Sequence, residues 1–215
     1  MVHAHGAIPP RQVESRLDWI RAARPVGSLE GGPHEQGAPA AATVLPVQMV
    51  QLDTITDRDW HEVIAGEPQP WGGLGEELEW RERTHNFGLR EDSGRLVALA
   101  GLLLTTVRVG EAELPVAGIG GVMVTRDARG QGLARRLIEH LIELAGELGA
   151  ERAMLFCLPE NVALYSKFGF EVIQGHVLAR QPGGSVEVPM PAMWKPLTTA
   201  ADWPAGRVEL LDEPF

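Results

Sequence analysis

The strongest constraint on the fold is a single junction, Gly120-Gly121-Val122-Met123-Val124-Thr125-Arg126-Asp127-Ala128-Arg129-Gly130-Gln131-Gly132-Leu133-Ala134-Arg135-Arg136-Leu137. It runs from a β-prone stretch through a glycine-bearing loop straight into an amphipathic helix. Leu133, Leu137, Ile138, Leu141, Ile142, Ala145 and Leu148 recur at helical spacing, while Arg135, Arg136, Glu139, His140 and Glu147 fill the opposite face and Gly149 ends the run. The first amides of a helix have no internal partner and carry about half a positive charge. A loop with Gly130 and Gly132 at that point suits a pyrophosphate, which the amides can wrap without side chains in the way.

The elements around this junction predict an α/β chain. Val44, Val47, Met49, Val50 and Leu52 form a β-prone stretch, and Asp57 is expected to cap a helix carrying Trp60, Val63 and Ile64. A second helical piece is predicted over Leu74 to Arg83, acidic at Glu76, Glu77 and Glu79. His85 to Arg90, Leu96 to Val109 and Glu113 to Thr125 read as three antiparallel strands, turned at Asp92-Ser93-Gly94 and Gly110-Glu111. After the long helix come a short strand from Ala153 to Leu158, a short helix from Asn161 to Lys167 stopped by Gly169, and a last pair of strands, Phe170 to Leu178 and Ser185 to Met193. Residues 1–42, with Pro9, Pro10, Pro25, Pro33 and Pro39, are expected to be a flexible or loosely docked N-terminal extension with one short helix over Arg16 to Ala23. The folded domain is then 43–215, including the C-terminal tail.

Composition narrows the function classes. Of 215 residues, 19 are Lys or Arg and 29 are Asp or Glu, a formal net charge of −10 that disfavours nucleic acid and anionic membrane surfaces as partners. The single cysteine, Cys157, closes no intramolecular disulfide and supplies no cysteine-based metal site; it reads as a small buried hydrophobe rather than a nucleophile. The seven histidines never pair at ligand spacing with a second donor cluster, so no metal is expected. The apolar run from Leu96 to Val107, interrupted by Gly101 and two threonines, is short of the ~20 residues that cross a bilayer, and no basic cluster precedes an apolar stretch at the N-terminus. A cytoplasmic protein is the expectation, with a homodimer left open.

Glycine spacing separates three readings of the loop. A dinucleotide fingerprint needs a third glycine where Arg135 stands, and a nucleotide P-loop needs a Gly-Lys-Ser/Thr that is absent. What remains, Arg129-x-x-Gly132-x-Ala134, resembles the acyl-CoA signature of the GNAT superfamily of N-acetyltransferases, and the element order from Thr43 to Met193 is similar to theirs. The resemblance implies a mixed, mostly antiparallel central sheet flanked by helices and splayed at the acyl-CoA site. It implies that Val122, Met123 and Val124 offer their backbone to the pantetheine arm, and that Arg129, Gly130, Gln131, Gly132, Leu133, Ala134 and Arg135 cradle the pyrophosphate. A second segment, Asn161-Val162-Ala163-Leu164-Tyr165-Ser166-Lys167-Phe168-Gly169-Phe170, resembles the family's N-x-x-x-Y-x-x-x-G-F element. There Asn161 would contact the cofactor arm and Tyr165, the only tyrosine in the chain, would protonate the leaving thiolate. A core-packing role for Tyr165 is the competing reading.

The segment Asp202-Trp203-Pro204-Ala205-Gly206-Arg207-Val208 resembles the closing segment of aminoglycoside 2'-N-acetyltransferases and of nodulation-type N-acyltransferases. That resemblance implies a tail folded over the acceptor site, with Glu209 and Phe215 binding the substrate. The alternative is a closing strand that only seals a sheet edge. Two departures stand out: Arg207 replaces an acid, and Gly120 occupies the position where many family members carry a glutamate base. The general base is therefore open among a carboxylate of the Glu76–Glu79 piece, His85 and the carboxylate of Phe215, reached through water. The expected activity is transfer of an acetyl group from acetyl-CoA, as co-substrate, to a primary amine of a small molecule. The rival readings are an acyl-CoA-binding regulatory module without turnover and an N-acyltransferase using a longer acyl donor.

Overall fold

Two tight turns organise the middle of the chain, and the sheet grows outward from them. A computed structural model describes residues 46–67 and 73–215, all within one compact unit spanning 35–215. Strands β2 (His85–Glu91), β3 (Leu96–Val109) and β4 (Ala112–Val124) form the antiparallel meander expected from their alternating and β-branched residues, joined at Asp92-Ser93-Gly94 and Gly110-Glu111. Strand β1 (Val47–Leu52) pairs antiparallel with β2. Val44, the 1–42 extension and the Arg16 to Ala23 helix lie outside the described residues.

Helix α1 (Asp57–Ile64) begins one residue earlier than the sequence suggests, because Thr56 and not Asp57 is its cap. Thr56 Oγ1 accepts from the Asp59 amide while the Asp59 carboxylate accepts from the Thr56 amide and hydroxyl, a reciprocal capping box. Helix α2 (Leu133–Glu147) buries Leu133, Leu137, Ile138, Leu141 and Ala145 against β3 and β4, the stripe that its periodicity predicts. Strand β5 (Arg152–Phe156) follows, then a single 3₁₀ turn and the short helix α3 (Val162–Ser166).

The expected second helix over Leu74 to Arg83 does not form. Gly73 and Gly75 take positive φ angles of 77° and 74°, and the chain beyond them spends its backbone groups on distant partners. The Glu79 amide donates to Gln181 Oε1 and the Arg81 amide to the Pro214 carbonyl, so long-range bonds replace a helical ladder. This strap, residues 73–84, crosses to the C-terminal tail.

The last pair of strands is likewise a simplification of what forms. Phe170 to Leu178 yields the two-residue strand β6 (Glu171–Val172) and, past the positive-φ Gly175, strand β7 (Val177–Gln181). Ser185 to Met193 divides into β8 (Gly184–Glu187) and β9 (Ala192–Pro196), because Pro189 and Pro191 between them cannot donate to a ladder. Strand β10 (Val208–Leu210) enters between β3 and β7, antiparallel to the first and parallel to the second. The ten strands form one sheet in the order β6-β9-β5-β4-β3-β10-β7-β8, with β1 and β2 attached beside the first half of β3.

Two apolar clusters line the sheet. One holds the α2 stripe with Ala117, Ile119, Leu155, Cys157, Tyr165 and Phe170; the other holds Leu103, Val107, Val116, Met154, Val208, Leu210 and Phe215. Alternation along β4 explains the division, since Ala117 and Ile119 point one way while Gly118 and Gly120 point toward Phe215.

Candidate active site

The site starts where two neighbouring strands part. Parallel pairing of β4 with β5 is confined to Ala117–Ile119 opposite Ala153–Leu155. Beyond Ile119 the β5-facing edge of Gly120 to Val124 is left without that neighbour, while its other edge stays bound to β3. The register also slips: Leu99 faces Met123 but Gly101 faces Gly120, so β4 carries one extra residue at Gly121–Val122, with Gly121 at φ 62°. Such a bulge bends and re-aims a strand. Val122, Met123 and Val124 thus lie on a strand edge that β5 leaves unpaired.

Two residues beyond Val124, a 3₁₀ turn (Arg126–Ala128) leads into the glycine loop. Gly132 is the N-cap of α2 in the left-handed conformation, φ 77°, with no side-chain cap and no acidic residue in the first turn. The first intrahelical bond is donated by Arg136 to the Gly132 carbonyl, leaving the amides of Leu133, Ala134 and Arg135 outside the helical ladder. Among the described residues no side chain caps these amides.

Two charged residues of the loop already have partners. Arg129 donates from Nε to the Val124 carbonyl at 3.2 Å and pairs through both terminal nitrogens with Glu67. Arg126 reaches the same carboxylate at 3.4 Å. The Arg129 hydrogen bond, ahead of the other contributions, holds the Glu67 carboxyl below the usual carboxylate range. Arg135 pairs with Glu139 at 2.8 Å on the exposed face of α2. Gly130 lies in the loop at φ 77°, Leu133 is buried and Ala134 half-buried against the first cluster.

That cluster joins the pieces. Tyr165, 7% exposed, belongs to it together with Leu133 and Cys157, and Val122, Val124 and Ala134 pack against it. Its ring meets Phe170 edge-on with centroids 6.2 Å apart. Asn161 is the N-cap of α3, one turn before Tyr165. Burial pushes the Tyr165 phenol well above its ordinary range, and burial likewise pushes the Cys157 thiol up to about 11. Tyr165 is therefore protonated at neutral pH, the state a proton donor requires, and Cys157 is a thiol beside Met193, not a thiolate nucleophile.

These two shifts carry a pH dependence. In the unfolded chain Cys157 loses its proton near the ordinary thiol value of 9.0, whereas in the fold it keeps it to about 11. Between those values the unfolded state binds fewer protons, so stability is fully present below pH 9 and falls as pH rises through the folded value, on the order of 1 kcal/mol per pH unit. Urea midpoints measured from pH 7 to 10.5 should be level at first and then decline, less steeply in Cys157→Ala; a midpoint that rises with pH contradicts this.

The tail residues lie elsewhere from the loop. Glu209 sits in β10, its carboxylate 3.6 Å from Arg108 and accepting from Ser185 Oγ at 3.2 Å. Phe215 is 3% exposed over Gly118 and Gly120, its ring 5.5 Å from that of Phe156 at the end of β5. The structure brings Phe215 to the strand junction and leaves Glu209 on the sheet surface. Of the expected base candidates, Glu76 has Oε1 closed off from solvent without a hydrogen-bond partner among the described residues, Glu77 and Glu79 are exposed, His85 Nδ1 lies 3.0 Å from Thr84 Oγ1, and the carboxyl group of Phe215 stands beside Gly120. Among the described residues no cluster of three or more His, Cys, Asp and Glu is placed to hold a metal, and no helix is long and apolar enough to cross a membrane.

Comparison with known proteins decides the family. The model of the acetyltransferase (GNAT) family matches residues 51–170, from strand β1 to the end of the α3 segment and more than half of the chain. The chain belongs to that family. The GNAT family N-acetyltransferase YhbS of Escherichia coli, solved in complex with CoA, has a similar fold: a TM-score of 0.55 at 22% identity, covering 82% of this chain and 93% of YhbS. Curated relatives from Oryza sativa subsp. japonica match more locally. Probable glucosamine 6-phosphate N-acetyltransferase 2 is 42% identical over 55 residues, covering 26% of this chain and 33% of its own length. Glucosamine 6-phosphate N-acetyltransferase 1 is 34% identical over 103 residues, covering 44% of this chain and 58% of its own length. The matches thus span less than two thirds of these relatives. The mixed sheet flanked by helices is the architecture shared with YhbS.

One residue at this junction escapes sequence reasoning. Arg83, at the end of the strap, lies against Gly120 and Gly121, and a lone arginine has no spacing pattern that would mark it. The available signal is the trio Gly118, Gly120 and Gly121, which announces that something approaches β4 closely.

Proposed function

We propose that the protein is an acetyl-CoA-dependent N-acetyltransferase that acts by direct transfer on a primary amine of a small molecule. The observation that carries this reading is the open edge of Val122 to Val124 leading into the uncapped amides after Gly132. A pantetheine arm needs donors and acceptors at strand spacing, and a pyrophosphate needs unpaired amides. The chain supplies both in succession, ahead of a buried, protonated phenol.

Val122, Met123, Val124 and Asn161 bind the arm, and Arg129 to Arg135 bind the pyrophosphate, with Glu67 as the carboxylate that the entering phosphates displace from Arg129. The amine nitrogen attacks the thioester carbonyl, the carbon–nitrogen bond forms as the carbon–sulfur bond breaks, and Tyr165 gives its proton to the departing thiolate. Before attack the ammonium must lose a proton, because it has no lone pair. Of the base candidates, the carboxyl group of Phe215 lies beside Gly120 at the strand junction, and it is the base we favour. A cationic sugar held by Glu209, as the tail's resemblance implies, is less well supported, since Arg108 and Ser185 already engage that carboxylate.

A screen of amines with acetyl-CoA, read by release of free CoA, tests the activity. Turnover with at least one class of small primary amine is expected. Binding of acetyl-CoA with no release for any amine would support the regulatory-module reading. Preference for a longer acyl-CoA would shift the donor.

Loop geometry gives a further expectation. At Gly132, φ 77° is a conformation that costs any other residue about 1–2 kcal/mol. Gly132→Val strains the loop and turns its amides away, so the rise in melting temperature that acetyl-CoA gives the parent should disappear. An undiminished rise would move the cofactor elsewhere.

A further inference from the structure

The strap and the tail meet at one glycine. A Cβ added to Gly120 would stand 2.9 Å from the carboxyl carbon of Phe215, 3.1 Å from its oxygen and 3.5 Å from Arg83 Nη1, so a carboxyl group and a guanidinium share one notch on β4. Gly121 makes room for the rest of the arginine, since a Cβ there would meet Cζ at 3.0 Å, Nη2 at 3.1 Å and Nε at 3.2 Å. Arg83 is held from three sides. Asn86, 4% exposed, donates from Nδ2 to the Arg83 carbonyl at 3.1 Å, and the Trp60 ring centroid lies 5.9 Å from Cζ. Just before it the strap is tied to the tail, where the Arg81 amide donates to the Pro214 carbonyl at 2.7 Å and Arg81 Nη1 donates to Asp212 at 3.0 Å and to Thr105 at 2.9 Å. Burial pushes the pKa of the Arg83 guanidinium down, and the exposed Glu82 opposes that. A desolvated guanidinium is stable beside counter-charge, and its planar fork matches the two oxygens of a carboxylate.

The last residues of a chain are poorly ordered unless something ties them down, and a base must stand still to take a proton from a bound ammonium. The Phe215 ring, 3% exposed, is fixed in the second apolar cluster, but burial of the ring leaves the torsion of its carboxyl group free. Arg83 supplies what the ring does not. We propose that Arg83 is a positioning residue whose guanidinium orients the Phe215 carboxylate toward the strand junction, where that carboxylate takes the proton of the acceptor's ammonium. The proposal rests on the acetyltransferase reading and names what keeps its base in place. Arg83 itself touches neither donor nor acceptor. Its fork faces the carboxylate from Gly121, at the bulge that re-aims β4, so the feature that opens the strand edge also seats the group that orients the base. The strap thereby gains a role beyond packing, because its bonds to Pro214 and Asp212 set Arg83 and Phe215 in register.

A cycle of four full-length proteins tests it: the parent, Arg83→Gln, a two-glycine extension that turns the Phe215 carboxyl into a neutral amide, and both changes together. The acceptor is whichever amine of the screen, glucosamine, glucosamine 6-phosphate, phenethylamine and spermidine among them, the parent acetylates fastest. The extension should lower kcat by about 10²-fold, as removal of a general base does. Arg83→Gln should lower kcat by about tenfold or more, with the KM for the amine and the Kd for acetyl-CoA little changed, and Arg83→Lys should lower it less. In the extended protein Arg83→Gln should cost nothing further, because the group it orients is gone. Losses that multiply, a kcat that survives Arg83→Gln, or a loss carried by KM alone overturn the proposal. Should Arg83→Gln fail to fold, Arg83→Lys enters the same cycle: its smaller loss must vanish in the extended protein, and a loss that multiplies, or none at all, is equally fatal. Full turnover in the extended protein removes the base and Arg83's part in it but leaves acetyl transfer standing, whereas acetyl-CoA binding with no amine acetylated refutes the acetyltransferase reading itself.

Discussion

Replacing Tyr165 with phenylalanine is expected to lower turnover by about 10²-fold or more while leaving the Kd for acetyl-CoA close to that of the parent. The substitution removes one oxygen and almost no volume, so the edge-on packing on Phe170 and the contacts with the Leu133 cluster persist. Burial keeps the phenol protonated well above neutral pH. The parent should therefore show no loss of kcat up to about pH 9 from ionisation of this group. A Tyr165→Phe protein with full turnover would return the ring to a packing role, and the thiolate would then leave without this donor.

What could be read from the sequence follows from where each element gets its stability. Helix α2 and the β2–β4 meander were legible because their patterns are local: an apolar stripe at helical spacing, and two glycine-bearing turns, Asp92-Ser93-Gly94 and Gly110-Glu111. The glycine loop was legible for the same reason, since the strand, the loop and the helix start lie within one short stretch. The strap at 73–84 was not. Its composition favours a helix, but its amides are satisfied by Gln181 and Pro214, residues more than a hundred positions away, and no local window contains that information. Strand β10 was hidden in the same way, because three residues carry no periodicity and their pairing with β3 and β7 is decided by the whole sheet. The tail was expected either to cover the acceptor site or to seal an edge. In the structure β10 inserts into the sheet while Phe215, five residues on, reaches the strand junction.

That reach makes Phe215 the residue with the largest expected effect on stability. Its ring is 3% exposed among Leu103, Val116, Met154 and Leu210, and it stands where a side chain on β4 would be: a Cβ on Gly118 would come within 2.6 Å of two ring carbons. Phe215→Ala empties that space and should cost about 3–5 kcal/mol, a large share of the roughly 5–15 kcal/mol that holds a domain together. Gly118→Val creates the opposite fault, forcing an added side chain into the ring, and should cost about 1–3 kcal/mol. Because both changes act on one space, their effects should not add. The double variant places valine partly into the cavity left by Phe215→Ala, so its loss should be smaller than the sum of the two single losses by about 1 kcal/mol or more. Urea denaturation of the four proteins closes the cycle. Strict additivity would mean that the ring and Gly118 do not share that space, and the tail would then have to be held by β10 alone.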